Sequence, residues 1–331
     1  MKALLVSALG VALLAQTPSG NTSKSTPAEE QPAPISVSVD VVNILASVRD
    51  KRNALIGNLD KTDFTILEDG KPQTIKYFTR ETDLPLTIGL LVDVSRSQEN
   101  LIGIERSAAS QFFNKVLRKK DEAFLISFGE ESELLQDYTS SPRLLEEGLN
   151  QLRVSSGVSG LHPGPVPTAG DPRGTVLYDA VYLAASEKLK SEVGRKVLVL
   201  ITDGNDQGSR MTRNQAIEAA QKADAVIYSI DYLDPSAYGG PFGFGGGGGE
   251  SELRRMSDET GGRVFKVDRK HSLDEVFQEI QEEMRSQYAI GYTPLNDVKD
   301  GSYRRLDIKL ASKDLKVQAR KGYYAIKPDF H

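Results

Sequence analysis

Residues with oxygen-bearing side chains recur in this chain at a spacing that could hold a cation. Leu86 to Ser97 reads LTIGLLVDVSRS, and where its apolar run ends, Asp93, Ser95 and Ser97 alternate with other residues. One carboxylate and two hydroxyls on a tight loop can converge on a single hard cation, which takes oxygen ligands. The same residues also suit a turn and a helix cap, because Asp and Ser cap helices and a helical pattern begins near Glu99. Asp-x-Ser-x-Ser alone does not separate the two readings. Two later stretches supply more of the same chemistry: Thr175, in RGTVLYDAV, and Asp203, in KVLVLITDGND.

Those donors need elements to hold them. Ile88, Leu90, Leu91 and Val92, interrupted only by Gly89, predict a strand buried on both faces, as in a parallel sheet. Val197 to Thr202 predicts a second such strand ending at Asp203, and Val176 to Leu189 predicts a helix just after Thr175. All three stretches fall where a strand ends or a helix begins, the rim at which open α/β sheets bind ligands. Here the sequence resembles the von Willebrand factor type A family, whose metal-ion-dependent adhesion site consists of Asp-x-Ser-x-Ser, a distant Thr and a distant Asp. By matching position the resemblance assigns Asp93, Ser95, Ser97, Thr175 and Asp203 to that site, within a domain reaching from Leu84 to Ser286. It implies Mg²⁺, with Mn²⁺ or Ca²⁺ as alternatives, held directly by Ser and Thr oxygens while the Asp residues act directly or through water. It also implies a coordination position left open for an acidic group of a partner.

Between residues 84 and 286 strand and helix alternate, which predicts a parallel sheet covered on both faces. Helices are expected over Ile104 to Leu117, Arg143 to Leu152, Arg213 to Ala223 and Leu273 to Arg285. Strands are expected over Ala123 to Phe128, Val226 to Ile230 and Arg263 to Val267, with Leu134 to Tyr138 as an antiparallel edge. The expected fold class is α/β: a Rossmann-like, doubly wound, mostly parallel sheet inserted in or flanked by a small β-sandwich-like domain. In that second part Val37, Val39, Val41 and Ile44 alternate with polar neighbours as in a half-buried strand. Phe64, Ile66 and Leu67 then lead into the turn Glu68-Asp69-Gly70, with Ile75, Tyr77 and Phe78 returning on the other side. Three strands are too few to close a sandwich, so partners are expected from Tyr288 to Tyr292, Arg304 to Leu310 and Leu315 to Ile326. A small β-module at each end is the alternative. The flanking IKYFT, QYAIGYTP and LKVQARKGYYAI resemble the exported bacterial proteins called VWFA-related domain proteins.

Residues 1–16, with Lys2 ahead of the apolar run Ala3 to Leu14, read as a signal peptide, an uncleaved anchor being the alternative. Residues 17–35 are rich in Pro, Ser, Thr, Glu and Gln and read as a disordered linker. They are followed by β segments 36–83 and 287–331 on either side of the 84–286 domain. With 39% hydrophobic and 26% charged residues, 331 residues suffice for one large domain or two ordinary ones. A formal net charge of -5 and the lack of a basic stripe argue against a nucleic-acid partner. Cysteine is absent, which excludes disulfides, thiolate metal sites and a Cys nucleophile. Export, to periplasm or medium, is expected of a bacterial protein without a membrane span in its mature chain; oligomeric state is left open.

No general base or nucleophile accompanies the motif. His162 is the one histidine that could approach the rim and reads as a surface residue, while Asp179 and Asp206 suit loop and helix-start caps. The loop Asp234 to Glu250, carrying Tyr238, Phe242 and Phe244 among its glycines, reads either as a ligand-contact lid or as a spacer. The expected function is therefore an exported binding module, not an enzyme, that captures a carboxylate of another protein or of a matrix component. A scaffold whose metal only stabilises the fold, and a metal-dependent hydrolase, are the alternatives.

Overall fold

The computed structural model describes residues 41–80, 84–154, 174–233 and 248–326. Its first strands are β1 (Val42–Arg49), β2 (Phe64–Glu68), β3 (Lys71–Gln73) and β4 (Ile75–Arg80). Then come β5 (Leu86–Asp93), α1 (Ile102–Val116), β6 (Glu122–Phe128), β7 (Ser132–Thr139) and α2 (Pro142–Leu149). Helix α3 (Leu177–Leu183) continues as a π-helical stretch over Ala184–Leu189 and leads to β8 (Arg195–Thr202), α4 (Arg213–Lys222) and β9 (Ala225–Asp231). After α5 (Gly248–Thr260), β10 (Val264–Lys266) and α6 (Leu273–Arg285), the chain ends in β11 (Tyr288–Tyr292), β12 (Tyr303–Leu310), β13 (Lys316–Ala319) and β14 (Gly322–Tyr324).

The central sheet has the order β10-β9-β8-β5-β6-β7 and is parallel apart from the β6–β7 pair. Every residue of β5, β8 and β9 is buried, as their continuous apolar runs require of strands covered on both faces. On one face α1, α2 and α6 pack over Ile88, Leu90 and Val92; on the other α3, α4 and α5 cover Leu91, Leu198 and Leu200. Gly89 sits in the middle of β5 because the ring of Phe124 and the side chain of Leu198 close over it, and a Cβ there would lie 2.3 and 2.7 Å from their atoms. The chain therefore winds outward in both directions from β5 and β8, and the switch point of this doubly wound α/β sheet lies between those two strands. Capping boxes set the starts of α4, at Thr212 and Gln215, and of α6, at Ser272 and Glu275.

Two four-stranded sheets, β13-β1-β11-β4 and β14-β12-β2-β3, share a separate core built on Ile44, Val48, Phe64, Ile66, Ile290 and Leu306. Within it, Phe64, Phe78 and Tyr288 pack ring to ring at 5.2–5.6 Å between centroids. Buried Glu68 accepts hydrogen bonds from the hydroxyls of Tyr292 at 2.5 Å and Tyr323 at 2.9 Å, joining one sheet to the other. The sheets are laced to the α/β part by Glu283 of α6, which pairs with Arg49 at 2.5 Å and Arg263 at 2.8 Å. The Gln318 amide adds a donor to the Gly262 carbonyl at 2.5 Å.

Several local expectations change. Helix α5 (Gly248–Thr260) begins inside the loop expected over Asp234 to Glu250, and Leu315 to Ile326 divides into β13 and β14, which join different sheets. The inward set of β1 is Val42, Ile44, Ala46 and Val48, whereas Val41 is 41% exposed. With two valines in succession, alternation counted from Val41 starts on the wrong face, and a slip of one residue turns every side chain over. Residues beyond the Asp69-Gly70 turn also divide differently. The short polar strand Lys71–Gln73 returns beside β2, while Ile75, Tyr77 and Phe78 leave that sheet and pair with β11 in the other. Val37, Val39, the signal and linker segments, His162, and the loop aromatics Tyr238, Phe242 and Phe244 lie outside the described residues.

Candidate metal centre

The carboxyl ends of β5 and β8, at the switch point, carry most of the oxygen donors singled out above. Asp93 is the last residue of β5 and fully buried. Its Oδ1 accepts from the Ser95 amide at 2.9 Å, and its Oδ2 accepts from the Thr202 hydroxyl at 2.6 Å. Thr202 in turn accepts from the Gly204 amide at 3.1 Å, so one hydroxyl ties the ends of both strands together. Asp203, which follows β8 directly, is buried and accepts from the Asn205 amide at 3.0 Å.

The hydroxyls of Ser95 and Ser97 lie 3.0 Å apart, on residues that are half-buried where Asp93 is fully enclosed. Ser95 occupies the N-cap position of the short 3-10 turn Arg96–Gln98, yet its side chain makes no capping bond there. Helix α1 begins after Leu101, likewise without a side-chain cap. The capping alternative thus has no hydrogen bond to support it, although Asp93 does organise a local turn through the Ser95 amide.

Thr175 reaches the same rim by backbone pairing. Its carbonyl accepts from the Gln207 amide at 2.8 Å, in the loop after Asp203, and the next amide, of Val176, donates to Gly129 at the end of β6. The approach to Gln207 demands the glycine at 174, where a Cβ would lie 1.8 Å from the Gln207 carbonyl oxygen. Asp179 and Asp206 are engaged nearby in structural bonds. Asp179 accepts from the amides of Arg210 and Met211, and Asp206 accepts from the Tyr178 amide and the Ser209 hydroxyl.

Burial pushes the Asp93 carboxyl up to about 6, against the lowering effect of its bonds to Thr202 and Ser95, and the charge of Asp203 adds to the rise. Asp231, at the end of β9, is likewise pushed up to about 6 by burial, opposed by Lys266 and reinforced by Glu250 and Asp203. Two buried groups that sequence reading passed over complete the picture. Thr202 bridges the two strand ends, and Glu105, on the inward stripe of α1 with Ala108, Ala109, Phe112 and Val116, is fully buried. A charged residue in a helical stripe that is otherwise apolar is a signal the sequence does carry. Among the described residues neither oxygen of Glu105 has a hydrogen-bond partner, nor has Oε1 of Gln98 or Oδ1 of Asp231.

This donor chemistry fits a hard divalent cation. The candidate set is all oxygen and mixes carboxylates with neutral hydroxyls, and burial disfavours the charged form of Asp93, which a bound cation would offset. Among the described residues no group of three or more His, Asp or Glu side chains is placed to hold a metal alone. Such a site would therefore depend on its hydroxyls.

The model of the von Willebrand factor type A domain matches residues 168–279, a stretch that includes Thr175 and Asp203 and begins beyond Asp93, Ser95 and Ser97. No curated protein matches the sequence. Among solved structures, the conserved hypothetical protein BatB from Bacteroides thetaiotaomicron is 16% identical, covering 60% of this chain and 97% of its own, at a TM-score of 0.45. Proximal thread matrix protein 1 from the mussel byssus, solved with a zinc-occupied MIDAS motif, is 16% identical over 64% of this chain at a TM-score of 0.45. This chain spans about half of it, 48%. The vWF domain of the type V pili tip protein Mfa5 from Porphyromonas gingivalis is 14% identical, covering 61% of this chain and 95% of its own, at a TM-score of 0.43.

Proposed function

We propose, from the premise that this chain carries a von Willebrand factor type A domain, that it is an exported binding protein. In this reading Asp93, Ser95, Ser97, Thr175 and Asp203 hold a divalent cation, Mg²⁺ foremost, through which the protein captures an acidic group of another protein or of a matrix component. The single observation that carries the reading is the junction at the switch point. There Asp93 and the Thr202-Asp203 segment are locked together at 2.6 Å, beside a pair of hydroxyls 3.0 Å apart.

When bound, the cation would supply an electrophilic centre with a position for one outside carboxylate. The chain's own residues set how strongly. Both Asp93 oxygens are already engaged, by Thr202 and by the Ser95 amide, so Asp93 serves to balance charge and to orient the hydroxyl loop. The hydroxyls, neutral and partly exposed, leave the ion's remaining charge for the partner. Beside Thr175 a groove of about 430 Å³, bordered by Glu130, Glu131, Val176, Asp179, Tyr182 and Met211, offers a surface that suits basic or apolar residues flanking the captured acid. The β segments 36–83 and 287–331 form one domain that carries this module; the pairing of β1 with β11 and β13, and of β2 with β12, supports that division. The export reading rests on residues 1–16. No helix among the described residues is long and apolar enough to cross a membrane.

A second reading, a scaffold in which the cation only stabilises the fold, is favoured by the buried carboxylates around the switch point. One experiment separates the two: Mg²⁺ is titrated by calorimetry into metal-stripped protein, and the loaded protein is then assayed on an immobilised Asp/Glu peptide array with and without EDTA. The binding reading expects Mg²⁺ uptake that Asp93→Ala and Thr175→Ala abolish, together with retention on acidic peptides that EDTA reverses. Uptake without EDTA-sensitive retention leaves the scaffold; no uptake at millimolar Mg²⁺ sinks both.

A further inference from the structure

Glu105 has no role in the five-residue site just proposed, and its environment is hard to explain without one. It lies one turn into α1, where the helix packs over β5, and its neighbours on the stripe are Ala108, Ala109, Phe112 and Val116. The residue is fully buried, and among the described residues neither carboxylate oxygen has a hydrogen-bond partner. A buried carboxyl group without partners destabilises a fold, and an apolar residue of similar size would serve the core better. Burial, and beyond it the neighbouring Asp93, hold the Glu105 carboxyl well above the usual range. Geometry relates it to Asp93 as well: α1 is the helix that follows the Asp93 to Ser97 loop, and Glu105, in its first turns, is on the buried face that packs against β5, the strand ending in Asp93.

We propose that Glu105 is a sixth residue of the cation site, a positioning residue that faces it from the buried side of Asp93. This inference rests on the reading of Asp93 and its partners as a metal site. Asp93 is committed to Thr202 and the Ser95 amide, so cation charge at the rim has one further buried carboxylate to act on, and that carboxylate has unused acceptor capacity. With a cation bound, Glu105 would supply inward negative charge toward it and hold acceptor oxygens on its buried side. Its burden on the metal-free protein is the counterpart of tighter binding in the loaded one.

The test uses the full chain with Glu105→Leu, which keeps volume and removes polarity, and Glu105→Gln, which keeps polarity and removes charge. Two readouts are taken: thermal unfolding in EDTA and calorimetric titration with Mg²⁺. The expected result is a pair of opposite shifts. Glu105→Leu unfolds at a higher temperature than wild type in EDTA, yet binds Mg²⁺ about 10- to 100-fold more weakly, the range that loss of outer-sphere partners of a metal produces. Glu105→Gln shows a smaller loss of affinity. If Glu105→Leu fails to fold, a loss of about tenfold or more in Glu105→Gln supports the proposal and wild-type affinity in Glu105→Gln overturns it. A merely structural Glu105 would shift unfolding alone. Wild-type Mg²⁺ affinity in both variants, with binding still abolished in Asp93→Ala, overturns the role of Glu105 while the five-residue site stands. Absence of Mg²⁺ binding in wild type overturns both.

Discussion

Replacing Asp93 with Asn should stabilise the metal-free protein, and the size of the effect follows from its surroundings. Its carboxyl is pushed up to about 6 from an ordinary 3.8, chiefly by burial. A shift of about two units corresponds to about 3 kcal/mol between the two protonation states. Because the folded value lies above the unfolded one, this contribution favours folding fully below about pH 4, fades as pH rises through about 6, and is gone above it. Metal-free wild type should therefore lose up to about 3 kcal/mol between pH 4 and pH 8 on account of this residue. Asn carries no charge at any pH and escapes that loss. Against the gain stands a poorer match to Thr202, whose hydroxyl donates to Asp93 while accepting from Gly204. An imperfectly met hydrogen bond there costs about 1 kcal/mol. The expected net gain of Asp93→Asn is about 1–2 kcal/mol at pH 8, vanishing or reversing near pH 4. Urea unfolding in EDTA at unit pH steps, compared at constant m-value, reads it directly. Saturating Mg²⁺ should then invert the order at pH 8, since ligand at a hundredfold over its dissociation constant adds about 2.7 kcal/mol to wild type alone. An Asn variant that is less stable than wild type at pH 8 in EDTA, or a difference that does not move with pH, would refute the reasoning.

Two further outcomes concern the frame that holds the site. Glu283→Ala leaves Arg49 without its buried carboxylate partner, while Arg263 keeps its pair with Glu279 at 2.8 Å, and should cost about 3 kcal/mol in urea unfolding, because breaking a buried pair leaves the Arg49 charge uncompensated; a loss under about 1 kcal/mol would mean that this link between the sheets and α6 is dispensable. Gly89→Ala drives a methyl group into Phe124 and Leu198 beneath the strand that ends in Asp93, and should cost about 1–3 kcal/mol by overpacking; unchanged unfolding would show that the two side chains move aside freely.

What could be read from the sequence followed from how each signal is encoded. The unbroken runs in β5 and β8 belong to strands covered on both faces, so the doubly wound sheet and its strand ends were legible residue by residue. The edge strand β7, helices α1, α2, α3, α4 and α6 and the last short strand β10 also fell close to where alternation and periodicity put them, whereas α5 (Gly248–Thr260), which starts inside the stretch read as a glycine loop, was not anticipated. The β-rich segments were harder, because a half-buried strand is defined only by parity. Two adjacent valines reversed the parity of β1, and the polar Lys71–Gln73 carried no apolar signal to mark it as the strand beside β2. At the rim, the sequence could mark where Asp93 and Asp203 stand but not which side chain joins them. Thr202 looks like one more β-branched residue in an apolar strand until its hydroxyl is placed 2.6 Å from Asp93. Glu105 was open to detection as a charge on an apolar helical stripe, yet only packing reveals that its oxygens are unpartnered.

In the proposed site the distribution of burial has a consequence for what can be captured. Asp93 and Asp203 are 0% and 4% exposed and Thr175 is 8% exposed, whereas Ser95 and Ser97 are half-buried. The two carboxylates and the Thr175 hydroxyl are buried and the more exposed donors are the Ser95 and Ser97 hydroxyls, so a cation would meet its negative partners from the protein side and weak, uncharged donors nearer solvent. An arrangement of the opposite kind, with carboxylates outermost, would repel an approaching acid before it reached the ion. The acid-capturing reading therefore requires more than the presence of five oxygen donors. It requires that the hydroxyl loop stay outermost, and the 3-10 turn Arg96–Gln98, tied back by the Gln98 side chain to the Tyr232 carbonyl at 3.3 Å, is the element that keeps it there.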